Sequence, residues 1–279
     1  MSHAAHDRAS RNNRVRILHL TDLHLRQAIP GTATKAERLS RAMPAALERL
    51  SAKLPALAAD VVALTGDLLD VPDVEAGGLG GNDAPPSPAL AQHAEADYRL
   101  MKDWLESTGL PYLVIPGNHD HEAIYDRVFG APPAVRDLAG VRFVAFRDEL
   151  DADRTPLRTG ARRALFEEAV AGDGMDGPWQ VHLQHYMIHP PTVAGWRYNY
   201  RGSRRMKRMI EQAGRVRAVL SGHYHPGSLT VSRDGVHYSV PPAFCSAPHP
   251  FRLMDVAADG TVSYQDVSVD GPAPAKERR

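Results

Sequence analysis

Five short stretches of this chain carry side chains that could ligate a metal: Asp22-Leu23-His24, Gly66-Asp67, Gly117-Asn118-His119-Asp120, His185, and Gly222-His223-Tyr224-His225. Each follows an apolar run of the length and composition of a buried strand, at 15–20, 61–65, 112–115, 181–184 and 216–220. In open α/β sheets, ligands bind beyond the carboxyl ends of the strands. If these strands run parallel, all five turns converge on one patch. Carboxylates, imidazoles and one amide oxygen make a mixed nitrogen and oxygen donor set without thiolate, which suits Zn, Mn or Fe. Asp22, His24, Asp67, Asn118, His185, His223 and His225 are more donors than one ion needs. A carboxylate such as Asp67 can bridge two ions, and two ions roughly 3.5–4 Å apart form a clamp for phosphoryl displacement. Glycines before Asp67, Asn118 and His223 let the backbone turn tightly beneath such ions.

These residues, in this order, carry the pattern D-x-H, G-D, G-N-H-D, H and G-H-x-H. In that pattern the chain resembles the calcineurin-like metallophosphoesterases over residues 14–267. The D-x-H opening with a terminal G-H-x-H looks like the small bacterial phosphodiesterase branch, which includes class III cyclic nucleotide and glycerophosphodiester hydrolases. The resemblance implies a four-layer α/β/β/α sandwich of two packed mixed sheets flanked by helices. It also implies two divalent or mixed-valence ions, Mn, Fe or Zn. Asp22, His24, Asp67 and His225 would hold one, and Asp67, Asn118, His185 and His223 the other. His119 would protonate the leaving oxygen while a hydroxide shared by the ions attacks phosphorus in line. The fourth motif departs from the common form, in which the ligand is often followed by a second His or by Pro. His185 is assigned because it directly ends its strand, and His189, followed by Pro190-Pro191, is the competitor.

The elements that must position these groups are legible as alternating strands and amphipathic helices. Leu39, Met43, Leu47, Leu50, Leu54 and Leu57 form a helical stripe with Pro44 inside it, so a kink or two shorter helices are expected. Ala94, Tyr98, Met101 and Leu105 mark a second helix ending near Gly109, and Met206, Met209, Ile210 and Ala213 a third ending near Gly214. From Ser228 onward the chain reads as mostly antiparallel strands, with hairpin signals at Arg233-Asp234-Gly235 and Ala258-Asp259-Gly260. Residues 71–88, rich in Gly, Pro and Asp, read as a surface loop. One domain over 14–270 is expected, with disordered tails at 1–13 and 271–279.

Other residues have plainer readings. His19 and His182, inside strands, are expected to be hydrogen-bonded core groups, and Cys245 a small buried or loop residue. Asp120 reads as the cap of a following helix, with orientation of a neighbouring imidazole as its alternative, and His121 as a helix cap, with substrate contact as its alternative. Trp196, Tyr198, Tyr200 and Arg201 cluster in a glycine-bearing loop soon after His185; Trp196, Tyr198 and Arg201 are taken as candidate substrate contacts. The basic run Arg204, Arg205, Lys207 and Arg208 reads as a solvated helix face. With 33 basic and 33 acidic residues, formal charge is zero. No global field therefore attracts nucleic acid or acidic membranes. The sole cysteine excludes an intramolecular disulfide, and no run approaches the ~18 apolar residues of a membrane span. A cytoplasmic enzyme acting on a small phosphorylated substrate is expected. A phosphodiesterase comes first and a phosphomonoesterase second; a nuclease or a turnover-free scaffold is disfavoured. The sequence carries no signal for an oligomeric state.

Overall fold

A computed structural model describes residues 14–33, 35–72, 87–171, 177–191 and 198–271. In chain order the strands are β1 (Arg14–Leu20), β2 (Val61–Thr65), β3 (Tyr112–Ile115), β4 (Val135–Leu138), β5 (Val141–Ala145), β6 (Glu149–Leu150) and β7 (Pro156–Leu157). They continue with β8 (Trp179–Leu183), β9 (Val216–Leu220), β10 (Ser228–Val231), β11 (His237–Val240), β12 (Pro250–Ala257) and β13 (Val262–Ser268). The helices are α1 (Met43–Leu57), α2 (Pro88–Ser107), α3 (Glu122–Phe129), α4 (Gly160–Ala171) and α5 (Ser203–Gln212).

The strands form two large sheets, in the orders β13-β12-β1-β2-β3 and β10-β11-β9-β8-β5-β4, beside a small β6-β7 hairpin. Strands β1, β2 and β3 run parallel, as do β5, β8, β9 and β11. The edges β4 and β10, and the β12-β13 hairpin beside β1, are antiparallel. The two hairpin signals sit where expected, between β10 and β11 and between β12 and β13. Strand β11 departs from the antiparallel expectation by joining β9 in parallel.

The two-residue strand period explains the layers. Val15, Ile17, Val61, Ala63, Leu113 and Ile115 face Val181, Leu183, Ala218 and Leu220 of the other sheet. Their neighbours Leu18, Leu20, Val62, Leu64 and Val114 face outward, beneath the apolar stripes of α1, α2 and α3. On the far side, Val144, Val219 and Tyr238 pack with Phe166 of α4 and Ile210 of α5. Three cores between four layers make the expected α/β/β/α sandwich. Both faces of each central strand are buried, which is why these runs are continuously apolar. Among the described residues no helix is long and apolar enough to cross a membrane.

Pro44 does not kink its helix. It lies in the first turn of α1, where a missing N–H leaves no hydrogen bond unmade, and a single 3-10 turn (Ser40–Ala42) precedes it. The expected tails, apart from Gly271, and residues 73–86 of the expected 71–88 loop lie outside the described residues. That expectation ran too far at its end. Ser87 caps α2 by accepting from the Leu90 N–H at 3.3 Å, and Pro88 is the first residue of the helix.

Candidate metal centre

The five strand-end turns come from both sheets and are joined to one another by their backbones. Asp22 N–H donates to Gly66 O at 3.1 Å, His24 N–H to Asp67 O at 2.9 Å, and Gly222 N–H to His185 O at 2.8 Å. Two glycines make the approach close enough. A Cβ on Gly117 would stand 2.3 Å from Asp67 Oδ1, and one on Gly222 2.0 Å from Thr21 Oγ1. Asp22, His24, Asp67 and His223 themselves adopt positive φ of 53°, 48°, 52° and 66°. That conformation is uncommon for residues with a side chain, and its concentration at four residues in three of these turns marks a functional constraint.

The side chains form two groups that share Asp67. In the first, His24 Nε2 lies 3.1 Å from His225 Nε2, 3.6 Å from Asp67 Oδ2 and 3.9 Å from Asp22 Oδ1. In the second, His185 Nε2 lies 3.0 Å from Asn118 Oδ1 and 3.4 Å from Asp67 Oδ1. Donor atoms of Asp67, His185 and His223 lie within 4.8 Å of one another. The two oxygens of Asp67 thus face different histidine groups. All seven sequence-assigned ligands come together here. His189 does not join them; its ring packs edge-on against Tyr238.

The donor set fits a metal centre. Asp22 Oδ1 is buried without an aligned hydrogen bond, with His225 Nε2 3.4 Å away. Two imidazole nitrogens 3.1 Å apart, beside two buried carboxylates, are groups that cations satisfy and one another do not. Backbone carbonyls and hydroxyls behind the ligands orient them. His185 Nδ1 donates to Thr65 O at 2.8 Å, which turns its Nε2 toward Asp67, and Thr21 Oγ1 donates to Asp22 Oδ2 at 2.7 Å. Burial holds His24 down at about 4 and His223 at about 3, so both are neutral near pH 7. Burial alone would raise Asp22, but the facing His225 holds it at about 2, ionised. Burial would likewise lower His185, yet Asp67 and then Asp22 keep it up at about 9. To ligate a cation, His185 would therefore have to give up a proton.

His119 stands at the rim, its side chain 16% exposed, with its ring edge-on to His24 at 4.8 Å. Its Nδ1 lies 3.0 Å from Asp70 Oδ1. Burial pushes His119 down, and the charges of Asp67 and Asp70 more than offset that, so its pKa is raised. Asp70 is a residue the sequence reading missed. It also takes Arg26 Nη2 at 2.8 Å and Arg38 Nη1 at 3.1 Å, both largely buried cations. The spacing Asp67-Leu68-Leu69-Asp70 was the available signal, one turn beyond the shared carboxylate.

Asp120 is not a helix cap. His121 occupies the N-cap of α3 without a side-chain cap bond, and Asp120 is buried beneath the centre. Its carboxylate accepts from the backbone N–H groups of Gly117 (2.8 Å), Leu68 (3.0 Å) and Leu69 (3.0 Å) and from Tyr98 Oη (3.0 Å). It thereby ties the turn after β2 to the turn after β3. Burial and the charge of Asp67 push it up to about 6 against the pull of those N–H groups. Asp120→Ala leaves three backbone donors and a phenol unpaired, so the metal-free protein should lose about 3 kcal/mol or more of unfolding free energy. Asp120→Asn, which keeps an acceptor, should lose less. Urea denaturation of both variants in chelator checks this.

His19 and His182 are buried and hydrogen-bonded, to Thr65 Oγ1 and Gln180 Oε1 respectively, each at 2.9 Å. Cys245 is buried, and its sulfur lies within 4.8 Å of nitrogens of His24 and His225. Burial pushes the thiol up to about 12, which keeps it protonated. Of the aromatic loop, Trp196 lies outside the described residues. Tyr198 sits at the centre, its ring 5.3 Å from His223 and 5.1 Å from Tyr224. Tyr200 is buried and donates to Asp148, and Arg201 pairs with Asp151 away from the ligands.

The calcineurin-like phosphoesterase family model matches residues 15–227, most of the chain. The chain belongs to the calcineurin-like phosphoesterase family. That family comprises metal-dependent hydrolases of phosphate esters, and the matched span includes the five strand ends described above. A Fibrobacter succinogenes protein named "probable cyclic nucleotide phosphodiesterase" is 25% identical over 166 residues, 54% of this chain and 60% of that protein. One of the same description from a Synechococcus strain is 27% identical over 139 residues, 47% of this chain and 52% of the relative. The chain thus spans little more than half the length of the curated relatives it matches. Among solved structures, a dimetal phosphatase from Danio rerio superposes with a TM-score of 0.62 at 11% identity, covering 95% of this chain and 98% of that one. A purple acid phosphatase from yellow lupin seeds superposes with a TM-score of 0.64 at 14% identity, covering 95% and 53%. At these identities the calcineurin-like phosphoesterase shares the fold of both.

Proposed function

We propose that this calcineurin-like phosphoesterase, as one domain over 14–270, is a two-metal phosphodiesterase for a small phosphate diester. The observation that carries the reading is the placement of Asp67, whose two oxygens face separate histidine groups. Asp22, His24, Asp67 and His225 would hold one Mn, Fe or Zn ion, and Asp67, Asn118, His185 and His223 the other. When bound, such ions supply charge stabilisation to phosphoryl oxygens and make water a usable nucleophile near neutral pH. The chain does the rest. Asp70 engages Nδ1 of His119, which leaves the other ring nitrogen to deliver a proton to the departing oxygen. Arg26 and Arg38 fix the Asp70 carboxylate, so the imidazole is held by a group that is itself held. The Tyr198 and Tyr224 rings border the site and offer a surface for the organic part of the ester.

The names of the two curated relatives support a diester over a monoester. A hydrolysis panel tests the reading. Bis-(p-nitrophenyl) phosphate and cyclic nucleotides should be turned over with higher kcat/KM than p-nitrophenyl phosphate and nucleoside monophosphates, with Mn, Zn, Fe or Mg supplied in turn. Preference for the monoesters under every metal would make the protein a phosphomonoesterase. No turnover of any ester would make it a metal-binding scaffold.

A further inference from the structure

Away from the metal centre, between α4 and α5 on the outer side of the second sheet, lies a cleft of about 220 Å³. Phe166, Met206 and Met209 form its apolar floor, and Arg163, Arg201 and Arg205 stand around it. Its remaining cation is Arg158, whose side chain is only 3% exposed. Arg158 Nε donates to Asp148 at 2.9 Å, and Nη2 donates to Gln184 Oε1 at 2.8 Å and to Tyr200 Oη at 3.2 Å. Its guanidinium lies over the Phe146 ring, 4.0 Å from the centroid, and 5.2 Å from that of Phe166. Arg158 Nη1 is buried with no hydrogen-bond partner among the described residues. An unmade hydrogen bond on a buried cation is costly, so this donor calls for an acceptor.

The charge around the cleft is lopsided. Four guanidinium groups line it against one carboxylate, Glu167, which pairs with Arg163 at 2.8 Å. Arg201 is engaged from outside by Asp151 and Asp153. Arg205 is exposed and has no ion-pair partner among the described residues. Sequence reasoning took the basic start of α5 for a solvated face. Of that run only Arg205 reaches the cleft, where it joins Arg158, Arg163 and Arg201 in a cationic rim on an apolar floor.

We propose that this cleft is a second ligand site, for a small amphiphilic anion. A carboxylate or phosphate head meets the arginines by charge-assisted hydrogen bonds, and a short alkyl or aryl body lies on Phe166 and the adaptable methionine side chains. An apolar lining with a few convergent polar groups is the usual build of a small-molecule site, and a cleft of about 220 Å³, smaller than most, suits a short ligand. Arg158 also ties the cleft to the strand end bearing His185, through Gln184.

The test uses the full-length, zinc-loaded protein labelled at its methionine methyl groups. Octanoate and octyl phosphate are titrated separately. At least one should shift the Met206 and Met209 signals saturably and leave Met43, buried in the other helical core, unmoved. Inorganic phosphate at the amphiphile's own concentration, which competes at the metal centre but lacks the apolar body, should not reverse the shift. Arg205→Glu should weaken binding at least about tenfold, the scale of one lost charge-assisted hydrogen bond. Its hydrolysis of a chromogenic ester, without amphiphile, should match the parent. Saturable shifts for neither amphiphile would overturn the proposal, as would displacement by phosphate or undiminished binding by Arg205→Glu.

Discussion

Asp67→Asn is expected to empty both halves of the centre at once. Asp67 Oδ2 lies 3.6 Å from His24 Nε2 and Oδ1 lies 3.4 Å from His185 Nε2, so one substitution removes charge from both histidine groups. Loss of an outer partner of a metal ligand already costs about 10–100-fold in affinity or activity. A shared ligand should cost more than that, at both positions. Elemental analysis after gel filtration, beside His24→Ala and His185→Ala, measures it. Each single-site variant should retain more metal than Asp67→Asn. Equal retention would remove Asp67 from its bridging role.

The same substitution has a readout without metal. Asp67 is the chief reason His185 is raised to about 9 against the pull of burial. A raised folded-state pKa means that the folded protein holds this proton more tightly than the unfolded chain. The stabilisation is fully present below the unfolded histidine value of about 6.5 and is lost as pH rises through the folded value. Chelator-treated parent protein should therefore lose stability from His185 between about pH 6.5 and 9. In Asp67→Asn the His185 pKa should fall, and that part of the pH dependence should flatten. Histidine titration by NMR on apoprotein distinguishes the two.

His119→Ala is expected to slow hydrolysis of an alkyl ester by about 10²–10⁴, the usual contribution of general-acid catalysis. A nitrophenyl ester should be largely spared, because its leaving group departs without a proton. The geometry motivates the difference. His119 is partly exposed at the rim and held by Asp70 at 3.0 Å, whereas His24 is fully buried among the donors. Metal content is checked first, because the His119 N–H donates to Asp67 Oδ1 at 2.8 Å and the turn must survive. If both esters slow by the same factor with metal retained, His119 binds the phosphate and does not protonate the leaving oxygen.

Much of this centre was legible because the chemistry sits where buried strands end. A run such as 61–65 is apolar on both faces, so the first polar residue after it, Asp67, stands out. That the five turns belong to two sheets was not readable from any one run, since parallel strands of different sheets look alike in sequence. His185 and His189 were hard to separate because both are imidazoles in one short stretch, and only tertiary placement puts one on Asn118 and the other on Tyr238. Asp70 escaped because it lies between a ligand turn and what reads as a polar loop, although Arg26 and Arg38 pair with it in a buried setting. Asp120 was misread for the opposite reason. An Asp before a helix is usually a cap, and here long-range backbone donors from Leu68 and Leu69 outbid the local ones. Pro44 follows the same logic, since local sequence marks a break but not on which side of the proline the helix begins.

The claim on which the rest depends is that Asp67 is shared by two metal ions. Anomalous scattering from crystals of the manganese-loaded protein tests it most directly. The account predicts two peaks roughly 3.5–4 Å apart, the spacing of two-metal hydrolase sites. One should lie among Asp22, His24 and His225, the other among Asn118, His185 and His223, with Asp67 between them. A single peak at full occupancy, or two peaks of which only one touches Asp67, would contradict it.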